Sequence, residues 1–551
     1  MEACAMDGKK MPIFFRLCWL LMLTATVLTV SVWNSESAVK SRVPTFHTSD
    51  RCVACHNGMA TNAGEDISIG LAWQPTMMAN SALDPYWHAG VRRESMDHPE
   101  SRAAIEDECS TCHMPMARFE SKIGNHEGTV FSHLGFLPDD RGDRLAADSV
   151  SCSLCHQIGK EKLGTRESFV GNFVIGGPTV QGDRIEFGPF SPDAGHIRIM
   201  RSSTGGFLPT ESAHIRESEL CATCHTLITQ ALGPGGEIIG EFPEQVPYQE
   251  WQQSAYAGKR TCQSCHMPVV REEVAITSIR GVPRTGVSRH VFLGGNFFMN
   301  GILNRYRNEL SVQADPTEFS NSIKRTREHL QSEAARISLG KLEERGGRLE
   351  TEVAIVNFGG HKLPTAYPSR RVWLHVIVRD KDNRTVFESG AINSTGAITD
   401  NDNDADPTKF EPHYTEIRNP GQVQIYEAIM ADSSGSVTTG LLHAIRYLKD
   451  NRLLPRGFDK KTAGKDIAVA GKALEDSDFG GGSDRIRFSI DPGGAQGPFR
   501  IEVELCYQPI GYRWAMNLKS YDAYETRRFT LYYEAASASS MQTLARARAE
   551  Q

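Results

Sequence analysis

From Leu349 to Leu505 apolar and polar residues alternate at period two. Leu349-Glu-Thr-Glu-Val-Ala-Ile-Val356, Val372-Trp-Leu-His-Val-Ile-Val378, Val423-Gln-Ile-Tyr-Glu-Ala-Ile429, Ile486-Arg-Phe-Ser-Ile490 and Phe499-Arg-Ile-Glu-Val-Glu-Leu505 follow this pattern, and Phe529-Thr-Leu-Tyr-Tyr533 adds one more run. Successive side chains of a strand face opposite ways, so such runs predict half-buried strands. Turn-rich stretches separate them, which predicts an antiparallel β-sandwich-like domain over 346–536. A short helix is expected between strands around Leu441–Lys449. The Ala-, Ser- and Arg-rich tail 537–551 is expected to fray or form a loose helix. Cys506 falls on the polar side of its run and reads as a structural free thiol.

Just upstream the period changes to 3.6. Asp315-Pro-Thr-Glu318 offers an N-cap, a proline at the first helical position and an acidic third residue. Phe319, Ile323, Leu330, Ala334 and Ile337 then form one apolar stripe. This predicts a helix of about five turns ending near Gly340, within a helical connector over 301–345. His329 lies beside the stripe and reads as a surface residue.

The stretch 43–300 has no comparable periodicity. It is rich in Gly, Pro, Ser and His and carries little apolar core of its own. Before it, Lys9, Lys10 and Arg16 precede an apolar run from Leu17 to Trp33, which predicts an export signal or N-terminal anchor over 1–38. Composition changes this picture little: 551 residues, 40% hydrophobic, 23% charged, net charge −7. No basic stripe appears, which argues against a nucleic-acid partner.

The cysteines change it entirely. Ten of the 13 fall in five pentapeptides: Cys52-Val-Ala-Cys55-His56, Cys109-Ser-Thr-Cys112-His113, Cys152-Ser-Leu-Cys155-His156, Cys221-Ala-Thr-Cys224-His225 and Cys262-Gln-Ser-Cys265-His266. C-x-x-C-H is the attachment signature of a c-type haem. Two thiols three positions apart form thioethers with the two vinyl groups of one porphyrin. The following histidine then lies beneath the iron as proximal ligand. Neither a redox dithiol nor a zinc ribbon requires that histidine every time. The first cysteines lie 57, 43, 69 and 41 residues apart, too unevenly for a solenoid. The expectation is a loop- and helix-rich pentahaem domain over 43–300, wrapped around porphyrins that supply its buried apolar surface. Such haems are attached after export, so the mature chain is expected in the periplasm or on the outer cell surface, with membrane association through the N-terminus open.

Two motifs continue as Met114-Pro115 and Met267-Pro268. A residue adjacent to the proximal histidine cannot reach the opposite haem face, so these methionines read as structural and the prolines as helix stops. Distal ligands must come from the 13 histidines outside the motifs. His98, His133, His196, His214, His290 and His361 are favoured because they sit in loops or element ends within or just beyond the haem region. His47 and His88 follow; His375 reads as strand packing, and His413 and His443 lie far downstream. His361 is of special interest. Its loop, Asn357-Phe-Gly-Gly-His-Lys-Leu-Pro-Thr365, would let the β-domain ligate a haem. Asp400, Asp402, Asp404 and Glu411 match the carboxylate spacing of a calcium loop, although Ala405 replaces its turn glycine and Pro407 opposes an exiting helix.

The haem half resembles the bacterial multihaem c-type cytochromes grouped around the tetrahaem cytochrome of ammonia oxidisers. The resemblance rests on Asp84-Pro-Tyr-Trp87, Glu219-Leu-Cys-Ala-Thr-Cys-His-Thr-Leu227 and Tyr248-Gln-Glu-Trp251. The β-half is similar to a domain that often follows such regions, through Gly360-His-Lys-Leu-Pro-Thr365 and Lys449-Asp-Asn-Arg-Leu-Leu-Pro455. Five motifs instead of four mean that haem-by-haem roles do not transfer. Two functional classes stand: an electron carrier of mostly bis-His haems, serving redox donor and acceptor proteins or a quinol-linked membrane complex, and, as the alternative, a reductase or oxidoreductase of a small nitrogen or oxygen species at one five-coordinate haem. No C-x-x-C-K variant occurs, which lowers the second.

Overall fold

The computed structural model describes residues 43–551, so the expected export segment lies outside the described residues. The period-two runs between 349 and 505 contribute to two five-stranded sheets and a smaller one. In the first sheet the order is Glu416–Ile417, Ser483–Ile490, Arg348–Asn357, Ala335–Leu339, with Glu343–Arg345 also on Arg348–Asn357. In the second it is Ile425–Tyr426, Arg371–Arg379, Arg500–Gln508, Gln542–Glu550, with Thr385–Ser389 also on Arg371–Arg379. Val353, Ile355, Ile486 and Phe488 of the first sheet share one buried cluster with Leu374, Val376, Ile501 and Val503 of the second. Phe387 meets Phe488 edge to face at 6.4 Å between ring centroids. Within these two sheets pairing is antiparallel except that Glu416–Ile417 runs parallel to Ser483–Ile490.

Four local expectations are corrected, each by packing. The tail is not frayed: Gln542–Glu550 is an edge strand on Arg500–Gln508. Its alternating Ala-Arg pattern sets Arg546 and Arg548 opposite Glu504 and Glu502, forming cross-strand ion pairs at 2.6 and 3.3 Å. Phe529–Tyr533 is helical, within Tyr524–Ala536, because Thr526, Phe529, Thr530 and Tyr533 form one buried helical face. The expected helix near Leu441 is a turn followed by the strand Arg446–Asp450, which pairs with Ala428–Ala431. Cys506 is buried with Trp373, Ile398, Val423 and Ile425, because the outer face of its sheet is covered.

The connector helix starts where its cap predicts: the Asp315 carboxylate accepts from Thr317 N at 2.7 Å, and the helix runs Pro316–His329. One π-helical turn, Leu330–Ala334, follows. The chain then enters the strand Ala335–Leu339, earlier than expected, because this segment pairs with Arg348–Asn357.

The haem-motif region is made of short helices, loops and two small sheets. It does not stand apart from the β-half. In helix Pro85–Asp97 the Asp84 side chain caps Tyr86 N and Trp87 N. This helix packs on Tyr524–Ala536, with Arg92 and Glu525 paired at 2.8 Å. Leu83 and Ala89 belong to the same apolar cluster as the sheets. No helix among the described residues is long and apolar enough to cross a membrane.

A buried ionic cluster joins the halves. Arg452 donates to both oxygens of Asp450 at 2.9 and 2.7 Å and pairs with Glu250 at 3.0 Å. Lys362 Nζ donates to Asp450 at 2.7 Å, while Lys362 N and Thr365 Oγ1 donate to Glu250 at 3.1 and 2.5 Å. Glu250 belongs to the segment before motif five; Lys362 and Asp450 belong to the β-half. All four charged side chains are buried. Burial alone would raise the Asp450 carboxyl, but Arg452 and Lys362 hold it down at about 2. Removing one charge strands the others in a low-dielectric setting. Asp450→Ala and Glu250→Ala are therefore expected to cost about 3–5 kcal/mol each in urea unfolding, if unfolding is reversible. A group with a depressed native pKa stabilises above its unfolded value and loses that contribution as pH falls through the native one. In the wild type the Asp450 share should therefore disappear as pH falls from 3.8 towards about 2, and Asp450→Asn should flatten that limb.

Candidate haem-binding cavity

The five pentapeptides lie on or beside short helical turns. Motif two ends the helix Arg102–His113, motif five is the helix Cys262–His266, and motif three starts the turn Cys152–Cys155. Helical spacing brings residues i, i+3 and i+4 to one face, so both thiols and the imidazole point the same way. All of them do so into one cavity of about 1820 Å³, whose wall includes every cysteine and histidine of the motifs. Helix Arg102–His113 stops at the motif histidine. Pro115 then opens the next helix, Pro115–Ile123, and Met114 is fully buried.

The thiols of different motifs meet. Cys52 interacts with Cys152, Cys112 with Cys224, and Cys221 with Cys262, while Cys155 lies close enough to act electrostatically on Cys221 and Cys224. Burial holds Cys109 well above the usual thiol range and lifts Cys155 to about 12. Cys262 is instead lowered to about 7 by its hydrogen bond with Cys221. Thiols gathered in one apolar cleft, each set followed by a histidine, fit porphyrin attachment.

Four of the five motif histidines carry a common signature. His56 Nδ1–H donates to Ile276 O at 2.6 Å, His113 to Ser81 O at 3.0 Å, His156 to Phe187 O at 2.6 Å, and His266 to Leu293 O. A backbone acceptor on Nδ1 fixes the tautomer and leaves the Nε2 lone pair free for a metal. Burial lowers the pKa of all five motif histidines, His113 and His266 to about 4, so the rings are neutral as ligation requires. Two further cavity histidines share the signature: His290 Nδ1 donates to Ser288 O at 3.2 Å and His361 Nδ1 to Lys362 O at 3.0 Å. Their partners are geometrically apt. An iron between two imidazoles at metal–nitrogen distances of about 2.0–2.1 Å puts the ring centroids about 6.3 Å apart. His156 and His290 lie at 6.4 Å, and His266 and His361 at 6.2 Å. Arg325 also lines the cavity, and its buried Nε has no hydrogen-bond partner among the described residues, which suits a propionate. The residues present fit haem.

The other sequence candidates sit differently. His196 lines the cavity with both ring nitrogens engaged, by Asp193 and by Arg280 O. His47 lines it too and uses Nε2 on Thr204 O. His214, bonded to Ser212 and Ile158 O, lies outside the lining, as does His133, bonded to Asp143. His98 is also outside, buried against the His443 ring at 4.6 Å. His88 is tied up by Ala82 O and Arg528. His329 corrects the surface reading: it is half-buried in the cavity wall, its ring 6.5 Å from that of His266. Sequence reasoning also left Trp87 without a role. It stacks on His113 at 4.3 Å with the rings parallel, and its signal was the stretch Asp84-Pro-Tyr-Trp87.

The loop of His361 is held by the ionic cluster and by Asn357, whose amide donates to the His361, Leu453 and Leu454 carbonyls at 2.9–3.2 Å. A Cβ at Gly360 would stand 3.2 Å from Trp251, so glycine permits this close approach to the haem half.

The acidic loop whose spacing resembles a calcium loop is spent on protein partners. Asp404 accepts two hydrogen bonds from Arg371 at 2.8 Å, and Glu411 accepts from Asp402 N and Tyr414 OH. Its carboxylates therefore do not converge on a cation. Another buried set, His413, Asp476 and Asp484, does converge. However, the Gln424 and Asn451 amides both donate to His413 Nδ1, and their oxygens accept from Tyr414 N and Glu427 N, which fixes both orientations. The ring proton is thereby left on Nε2, donated to Asp476 at 3.0 Å. Burial lowers His413 to about 4, and the set fits a neutral histidine between carboxyl groups rather than a metal.

No protein-family model matches the chain, and no curated protein matches its sequence. Among solved structures it is similar to a penta-heme cytochrome c552 from Thermochromatium tepidum, at 14% sequence identity and a TM-score of 0.52, over 92% of this chain and 99% of that one. The likeness spans both halves, so the chain has the fold of a multihaem c-type cytochrome.

Proposed function

We propose that this chain is a pentahaem c-type cytochrome that passes single electrons along closely packed haems in an exported redox pathway. The observation that carries the reading is the continuity of one cavity in which attachment thiols of motifs one and three, two and four, and four and five interact, with motif three beside four. When bound, the haems supply the one-electron chemistry. The chain's own residues hold them covalently, keep the imidazoles neutral and exclude water. His290 opposite His156 and His361 opposite His266 support bis-histidine sites, which close an iron to substrates. In its finer form the reading includes the likeness of the haem half to the tetrahaem cytochromes, export directed by residues 1–38, and redox proteins or a quinol-linked membrane complex as donor and acceptor.

Intact mass and a pyridine haemochrome assay on the matured chain should give five covalent haems; three or fewer would overturn the reading. A chain lacking its first 37 residues and made in the cytoplasm should accumulate without covalent haem.

His290→Ala should keep five haems and convert one to five-coordinate, seen as a new high-spin ferric signal in electron paramagnetic resonance. Unchanged ligation would remove His290 from the scheme. A full high-spin haem already present in the unmutated protein would instead carry the reductase reading.

A further inference from the structure

His266 has two candidate partners. The His361 ring lies 6.2 Å away at 16° to it, and the His329 ring 6.5 Å away at 56°. Both separations match an iron held between two imidazoles, about 6.3 Å by ordinary metal–nitrogen distances. The two rings come from different parts of the fold. His361 sits on the Asn357–Thr365 loop of the β-half, whereas His329 ends the helix Pro316–His329. His329 is half-buried in the cavity wall, and neither of its ring nitrogens has a hydrogen-bond partner among the described residues. Immediately after it the helix widens into the π-helical turn Leu330–Ala334. Such turns are rare and cluster at functional sites.

From this geometry we infer that His329 is a reserve axial ligand for the iron held by His266, able to take the place of His361. The inference rests on the haem reading above. In the exchange one Fe–Nε2 bond, to His361, breaks and one, to His329, forms. Both imidazoles are neutral ligands, so no electron or proton is gained or lost. The consequence is specific to this haem. A displacement of the Asn357–Thr365 loop alone would then open no coordination position to oxygen or other small ligands, because the helix that carries His329 is anchored separately, through Phe319 and Leu330, in the core of the sheets.

The test uses the full matured protein and four variants: His361→Ala, His329→Ala, the double variant, and His290→Ala as the reference for a haem with a single distal candidate. Low-temperature paramagnetic resonance reads the spin state, and haem content controls for assembly. His361→Ala should stay entirely low-spin. One signal should change character, because near-parallel imidazole planes give a rhombic low-spin spectrum and strongly crossed planes a more anisotropic one. His329→Ala should match the unmutated protein. The double variant should show one high-spin haem per chain, reversed by added imidazole. If His361→Ala alone gives one full high-spin haem, as His290→Ala does, His329 is no reserve ligand and the inference falls while the haem reading stands. If the double variant keeps five haems and no high-spin signal, the assignment of His361 to that iron falls too, and the inference with it. Should the double alanine variant lose haem, the corresponding glutamine pair preserves bulk and reads the same outcomes.

Discussion

Four buried charges, Glu250, Lys362, Asp450 and Arg452, are the constraint on which the rest of the molecule depends. Moving such groups out of water costs several kcal/mol each, and only close mutual geometry offsets it. That geometry exists in one arrangement of the two halves: Arg452 forks onto Asp450, Lys362 closes the opposite side, and Glu250 reaches in from the segment leading to motif five. Displacing the halves would leave at least one of these charges unpaired. The cluster therefore sets position as well as holding the halves together. His361 is the residue beside Lys362, so the lock that joins the halves also sets an imidazole 6.2 Å from that of the motif-five histidine.

The haem half has a different physical basis. Its helices are short and its side-chain clusters small, and its largest internal feature is a cavity rather than a packed core. Apolar surface lining such a space gains from burial only when something apolar fills it. Five covalent porphyrins meet that requirement, and the wall is chemically prepared for them. Burial keeps its motif imidazoles neutral, four of them have Nδ1 fixed by a backbone carbonyl, and Arg325 presents a buried Nε that has no hydrogen-bond partner among the described residues. The segment from Leu83 through helix Pro85–Asp97 then joins this half to the β-core through Leu83, Ala89 and Arg92.

Chemistry set by local spacing was legible from the amino-acid order alone. Two cysteines and a histidine at i, i+3 and i+4 share a face in any helical turn, so all five attachment sites could be named before any fold was known. The same holds for the Asp315 cap and for the strands from 349 to 505, whose alternation is a property of neighbouring residues. Short ambiguous runs were not legible. Phe529–Tyr533 reads equally as period two or as part of a helical face, and its packing against Pro85–Asp97 decided for helix. The Ala-Arg alternation of the tail became a strand only because Glu502 and Glu504 lie across from it.

Tertiary structure alone decided which other histidines come to face those of the motifs. A distal ligand has no fixed offset from its motif: the His290 ring lies 6.4 Å from that of His156 and the His361 ring 6.2 Å from that of His266, across long stretches of intervening chain. Loop position made His98, His133 and His214 as plausible as these two, yet their rings are turned to other partners or packed outside the cavity. His329, read from its helix face as solvent-facing, was placed in the cavity wall by the fold of the β-half around that helix end. Proximal ligation is a matter of helical geometry, which sequence encodes directly. A distal position depends on how separate segments are brought together, and for His361 that was decided by a buried ionic cluster whose members are scattered from Glu250 to Arg452.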